Sequence, residues 1–216
     1  MTSEVRCFCR GLKKKYGRRE VLRGCSFSLH AGELMGITGE NGSGKSTLVR
    51  CLLGFLRPSS GEVRLDPSVG YCPQDNFLHG RLTLSEHLRL SNAILGGREA
   101  VDQEHLRWLL EVLRLEGFRD LRMAHLSGGS IQKVKFMTSI LRRPHLIILD
   151  EPTDGFDWTM YLVYWDIMSK LRQEGAAVLM VSHLLYDRKQ FDRLYELREG
   201  TLEETSRPVG GPSLSH

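Results

Sequence analysis

The octapeptide Gly39-Glu-Asn-Gly-Ser-Gly44-Lys45-Ser46 limits the folds open to this chain more than any other feature. It fits the pattern of a glycine, four residues, then Gly-Lys-Ser. It stands between a short apolar segment, Leu34 to Thr38, and a segment with Leu48, Val49, Leu52, Leu53 and Phe55 at helical spacing from Ser46 to Phe55. Strand, glycine-rich turn and helix form the context in which such a turn binds phosphate. Glycines accept positive φ, so successive backbone N–H groups converge on phosphate oxygens at a helix N-terminus, where the dipole favours negative charge. In that frame Lys45 bridges the β and γ phosphates and Ser46 places its hydroxyl on Mg²⁺.

The rest of the chain fits an α/β fold around that loop. The first third reads as short β segments at Glu4 to Cys9, Val21 to Leu29 and Leu34 to Thr38, with two more at Glu62 to Leu65 and Ser68 to Cys72 after the Pro58-Ser-Ser-Gly61 turn. From Thr83 to about Leu141 the apolar spacing is helical, which predicts a helical subdomain over about 77–143. Strand and helix then alternate: Leu146 to Leu149, a helix over Trp158 to Gln173, Ala176 to Val181, a short helix near Leu185 to Gln190, and Leu194 to Leu197. That alternation implies right-handed crossovers and a mostly parallel sheet. The expected architecture is an α/β phosphate-loop nucleoside-triphosphatase core over 1–204, with a mostly parallel sheet, an N-terminal antiparallel β subdomain and the helical insert. Residues 205–216, rich in Ser, Pro and Gly, are expected to be a disordered tail.

A second chemical feature is Leu146-Ile-Ile-Leu149-Asp150-Glu151. Four apolar residues suit a fully buried central strand, and its carboxylates would stand at the C-terminal edge, where open α/β sheets bind ligands. Asp150 suits the Mg²⁺ shell, and Glu151 suits the orientation and polarisation of an attacking water. An acidic strand end alone is common; together with a phosphate loop it makes a nucleotide-hydrolysis site.

Composition excludes other classes. With 41% hydrophobic and 26% charged residues, disorder throughout is excluded. No apolar run approaches the roughly 18 to 20 residues that cross a bilayer. Met1 to Cys7 lacks the pattern of a secretory signal, so the chain is expected to stay in the cytosol. A net charge of +4 with scattered basic residues gives little support to binding of duplex nucleic acid. The one dense basic cluster, Lys13 to Lys15 with Arg18 and Arg19, reads as a solvated turn. The five cysteines include no CxxC pair; Cys7 and Cys9 share a strand face as small buried thiols, and no metal or redox role follows.

Leu126-Ser127-Gly128-Gly129 stands just before a helix and just upstream of the acidic strand. This resembles the signature of the ATP-binding cassette (ABC) ATPases, usually written LSGGQ, and the order of further motifs is also similar to that family. Tyr16 resembles the aromatic that stacks on adenine, and Gln74, in Tyr71-Cys-Pro-Gln74, the Q-loop glutamine. Asp154-Gly-Phe-Asp157 resembles the D-loop, and His183, in Met180-Val-Ser-His183, the switch histidine. The resemblance runs from residue 16 to residue 183. It implies ATP contacts from Tyr16, Gly39, Asn41, Gly42, Ser43, Gly44, Lys45, Ser46 and Thr47, with Ser127, Gly128 and Gly129 presented to the nucleotide of a second copy. It implies Mg²⁺ held by Ser46, Gln74 and Asp150, and catalysis by Glu151, His183 and Gln74.

Two positions depart from the family pattern. Ser130 replaces the signature glutamine, and Asp154-Gly155-Phe156 replaces the commoner Ser-Ala-Leu of the D-loop; neither removes a group needed for hydrolysis. The resemblance implies the ATPase subunit of a transporter, peripheral on the inner face of the membrane. Its partners would be a separate transmembrane permease subunit, docked near Asp75 to Leu88, and a second nucleotide-binding subunit. The Glu151-Pro-Thr-Asp-Gly155 stretch resembles cassettes of small exporters. The competing reading is a soluble ABC protein acting on nucleic acid or the ribosome. Such proteins usually carry two cassettes, a long coiled coil or a zinc insertion, and the sequence contains one phosphate loop, no heptad run and no CxxC.

Overall fold

The computed structural model describes residues 4–94, 101–183, 185 and 187–205. Two sheets organise them. Strands β1 (Val5–Tyr16) and β2 (Arg19–His30) form a long antiparallel hairpin; β3 is Leu34–Thr38, and helix α1 (Lys45–Leu52) follows it. Strand β4 (Ser60–Leu65) pairs antiparallel with β1 and completes a three-stranded sheet, and β5 is Val69–Cys72. Between β5 and β6 (Leu146–Asp150) lie helices α2 (Leu84–Ile94), α3 (Gln103–Val112) and α4 (Gly128–Ile140). Helix α5 (Trp158–Gln173), β7 (Ala177–Val181), β8 (Arg193–Arg198) and β9 (Thr201–Thr205) end the fold. The second sheet has the order β5-β6-β7-β3-β8-β9, parallel throughout except at β9.

The central strands are apolar on both faces because both faces are covered. Leu146, Ile148, Ala177, Leu179, Val181, Met35 and Ile37 pack toward α1 and the antiparallel sheet. Ile147, Leu149, Val178, Met180 and Leu34 pack toward α3, α4 and α5. The helix starts are capped as their sequences dictate. Thr83 and Glu86 exchange hydrogen bonds as a capping box before α2, Asp102 caps α3, and Asp157 accepts from the Met160 N–H at the start of α5.

Several sequence expectations need correction. Helix α1 stops at Leu52 because Gly54 takes φ 74°, and Phe55 projects into solvent, 70% exposed. Strand β1 runs well past Cys9, and Lys13 to Lys15 belong to that strand while Arg19 opens β2. Only Gly17 and Arg18 form the turn, so the basic cluster is a hairpin tip whose charges alternate across a strand. In place of a helix near Leu185 to Gln190 there is one 3₁₀ turn, Arg188–Gln190; residues 184 and 186 lie outside the described residues. Strand β9 had no sequence counterpart, and Thr205, expected to open the tail, pairs with Leu194 as its last residue. The signal was a two-residue turn, Glu199 (φ 46°) and Gly200 (φ 82°), between facing Leu197 and Leu202. Thr, Glu and Glu mask that hairpin because the edge strand faces water. The remainder of the expected tail, 206–216, lies outside the described residues.

Candidate nucleotide site

Strand register decides which side chains meet. Cys72, Leu149, Met180 and Gly36 stand in one row across β5, β6, β7 and β3. Two residues further on, β6, β7 and β3 have reached the C-terminal edge, so Glu151, Ser182 and Thr38 emerge side by side, and Gln74 lies on the loop that leaves β5 at that edge. Gly39 and His183 follow one residue later. The row is extended past the strands by the Glu151 N–H to the Val181 carbonyl (2.9 Å) and the Ser182 N–H to the Ile37 carbonyl (3.1 Å).

The phosphate loop enters α1 through Gly44, the N-cap, at φ 111°, a conformation that needs glycine, and no side chain caps the helix. A Cβ on Gly39 would lie 2.6 Å from the Leu197 carbonyl and 2.7 Å from Ser43 Oγ, so the loop closes tightly on itself and on the neighbouring strand β8. Lys45, only 9% exposed, turns its Nζ back onto the carbonyls of Gly39 (2.7 Å) and Glu40 (3.1 Å). Ser43 Oγ is buried with no hydrogen-bond partner. A buried cation, an uncapped helix start and an orphaned hydroxyl converge on one loop, and a polyphosphate supplies what all three lack. Asn41, Gly42 and Ser46 are exposed around it, and Thr47 is partly covered.

Asp150 and Glu151 are both buried, at 5% and 6% exposure. Burial, with Glu151 beside it, pushes the Asp150 carboxyl up to about 6, against the opposing pull of Lys45. Glu151 takes a left-handed φ of 49°, which costs a non-glycine residue about 1 kcal/mol or more, and its carboxylate is fully engaged. Oε1 accepts from the His183 main-chain N–H (2.7 Å) and lies 3.0 Å from His183 Nδ1. Oε2 accepts from Ser182 Oγ at 2.5 Å. Ser46, Gln74 and Asp150 offer the oxygen donors that Mg²⁺ prefers, and Mg²⁺ bound there would neutralise charge on phosphate oxygens.

Tyr16 ends β1, half exposed, with Lys14 Nζ 5.2 Å from its ring centroid. Ser127 caps α4: its Oγ accepts from the Ser130 N–H (3.2 Å) and lies 3.0 Å from Ser130 Oγ. Serine at position 130 therefore bonds directly to the signature serine. A Cβ on Gly129 would stand 2.9 Å from the Gly155 carbonyl, so the altered D-loop, with Gly155 at φ 78°, packs against the signature turn.

Three residues of this site escaped the sequence reading. Ser182 holds Glu151. On α4, buried Gln132 donates to the carbonyls of Glu151 (3.3 Å) and Pro152 (2.8 Å), and buried Lys135 to the Gln74 carbonyl (2.6 Å). The available signal was a lysine set among Val134, Phe136 and Met137, where a solvated charge has no place.

A mostly parallel sheet with a phosphate loop, an acidic strand end and a histidine just past the neighbouring strand defines the class of phosphate-loop nucleotide hydrolases. Within it, the chain belongs to the ABC transporter family, whose model matches residues 22–154, as an ATP-binding cassette. It is 40% identical to the zinc import ATP-binding protein ZnuC of Yersinia pestis bv. Antiqua, over 79% of this chain and 67% of that protein. It is 32% identical to the Nod factor export ATP-binding protein I of Bradyrhizobium diazoefficiens, over 92% and 69%. The structure superposes on an ATP-binding subunit of an ABC transporter with a TM-score of 0.87 at 29% identity, covering 93% of this chain and 89% of the other. It also superposes on a dimeric bacterial ABC transporter cassette (TM-score 0.81, 26% identity, 95% and 100% covered).

Proposed function

We propose that this chain hydrolyses ATP as the cytoplasmic, membrane-peripheral subunit of a transporter, in a head-to-tail dimer that moves a separate transmembrane subunit. The observation that supports the reading is the buried pair Asp150 and Glu151 at the end of β6, with Glu151 bonded to His183 and Asp150 within the field of Lys45 of the phosphate loop. In this reading Lys45 and the loop N–H groups bind the β and γ phosphates, and Ser46, Gln74 and Asp150 hold Mg²⁺. Glu151 is the general base, released from Ser182 and His183 when nucleotide binds, and His183 then turns to the γ-phosphate side. Ser127 to Gly129 of one copy serve the nucleotide of the other. The relatives run in both directions, zinc import and Nod factor export, so the reading is of transport and names no direction.

A docking place for the transmembrane subunit is supported by a groove of about 720 Å³ between the sheet and the helices. Phe55, Tyr71, Phe77 and Leu90 line it with His79 and His87, and Phe55, Phe77 and Leu90 are exposed apolar residues that a partner helix would cover. No helix among the described residues is long and apolar enough to cross a membrane.

The test is complementation. Lys45→Ala should lose most ATP binding by calorimetry while its circular dichroism stays that of the folded protein. Ser127→Arg should keep single-chain ATP binding and lose hydrolysis. Mixed, the two form dimers with one complete composite site and should regain hydrolysis that neither shows alone. Failure of the mixture to exceed both singles would overturn the composite site.

A further inference from the structure

Helix α4 touches the site at more places than its signature turn. Gln132 and Lys135 lie three residues apart on one face, both buried, at 6% and 3% exposure. Gln132 holds the main chain just after the acidic strand, through the carbonyls of Glu151 and Pro152. Lys135 Nζ donates at 2.6 Å to the carbonyl of Gln74, on the loop that leaves β5. The helix also lies against β5 itself: a Cβ on Gly70 would stand 1.9 Å from the Ser139 carbonyl.

A fully covered ammonium is expensive to desolvate, and a methionine would fill the same volume without that cost. What the ammonium gains is a charge-assisted bond to a main-chain carbonyl, in the field of Asp75, Asp154 and Asp150. The bond joins elements far apart in sequence, and at one of its ends stands a loop whose own side chains from Gln74 to Phe77 are exposed. Without it, nothing described on the Gln74 backbone would fix that loop relative to α4.

We propose that Lys135 is a positioning residue, whose ammonium clamps the Gln74 main chain to α4 so that the Q-loop and the signature turn at the head of the helix move as one body. Its use in hydrolysis rests on the function proposed above, whereas the clamp itself does not.

The experiment uses the full chain with Asn76→Cys and Lys133→Cys spin-labelled. The five native cysteines are all buried, so the introduced pair takes the label. Distance distributions and steady-state kinetics are measured for this protein and for its Lys135→Met and Lys135→Gln variants. Lys135→Met should broaden the distribution and lower kcat about tenfold, with the ATP dissociation constant within about twofold. Lys135→Gln, which keeps a donor, should recover part of both. An unchanged distribution overturns the clamp, and a broadened one with full kcat overturns its role in hydrolysis. If Lys135→Met does not fold, Lys135→Gln carries both readouts, intermediate values supporting the clamp and unchanged ones overturning it. If the unsubstituted protein hydrolyses no ATP, the function proposed above falls while the distances still decide the clamp.

Discussion

Helices α1 and α4 both begin at glycine-rich turns, and their first turns are finished in different ways. Helix α1 opens on Gly44 with no side-chain cap, and its nearest cation, Lys45, is turned onto loop carbonyls. Helix α4 opens on Ser127, whose hydroxyl already serves the Ser130 N–H and meets the Ser130 hydroxyl. An uncapped helix start leaves N–H groups and a dipole without an anion. The α1 end has no side-chain partner for these groups, whereas at the α4 end Ser127 satisfies one of them, the Ser130 N–H, within the lone chain. That asymmetry fits a cassette that binds nucleotide first on its own loop and engages a second copy afterwards.

The largest effect should come from Glu151, just past the end of the acidic strand. Glu151→Gln keeps size and hydrogen-bonding capacity but removes the carboxylate, so hydrolysis should fall by about a hundredfold or more. Both helix starts stay intact, so ATP should still bind and an ATP-bound dimer should accumulate on size exclusion. Wild-type turnover in this variant would assign the water to another group and break the proposed division of labour.

Asp150 gives a smaller effect, read in stability. Its carboxyl is pushed up to about 6 from an ordinary 3.8. Below about pH 3 it is protonated in the folded and unfolded chains alike, and it costs nothing. As pH rises toward 6 the unfolded chain gives up the proton while the folded one keeps it, so stability falls. Above about pH 6 the full cost, about 3 kcal/mol, is present. Asp150→Asn removes the cost. With Mg²⁺ chelated, it should be more stable than the parent at pH 7 by a few kcal/mol and equal near pH 3, in urea titrations at both pH values. With Mg²⁺ and ATP it should lose hydrolysis. A variant no more stable at pH 7 would mean that Lys45 already neutralises Asp150.

The sequence was most legible where chemistry and periodicity agree. The octapeptide at Gly39 placed the loop, and the apolar run before Asp150 placed a central strand, because a strand buried on both faces has no polar residues to disguise it. Legibility failed at edges and in tertiary ties. Strand β9 is half solvated, so Thr201, Glu203 and Glu204 read as loop although the Glu199-Gly200 turn was visible. Lys135, set among Val134, Phe136 and Met137, signals a buried charge, but nothing local tells that α4 turns it and Gln132 toward carbonyls of residues 74, 151 and 152. The alternate rows of β6 and β7 facing two different cores were likewise set by the layers above and below, not by the strands themselves.

The two helix starts can be compared directly by exchanging their cap chemistry one at a time. Gly44→Ala puts a Cβ at φ 111°, a region closed to alanine, and 3.2 Å from the Val21 side chain and carbonyl. It should cost about 1–3 kcal/mol of stability and weaken ATP binding as well, because the loop must shift. Ser127→Ala removes only a hydroxyl cap from an exposed turn and should cost about 1 kcal/mol. Single-chain ATP binding should be unchanged, since Ser130 and the α4 dipole stay and the α1 end is untouched. Thermal melts give the first comparison and calorimetric titration with ATP the second. Should Ser127→Ala weaken ATP binding by the lone chain as much as Gly44→Ala does, the signature turn acts on its own nucleotide, and the asymmetry between the two helix starts is not a division between copies.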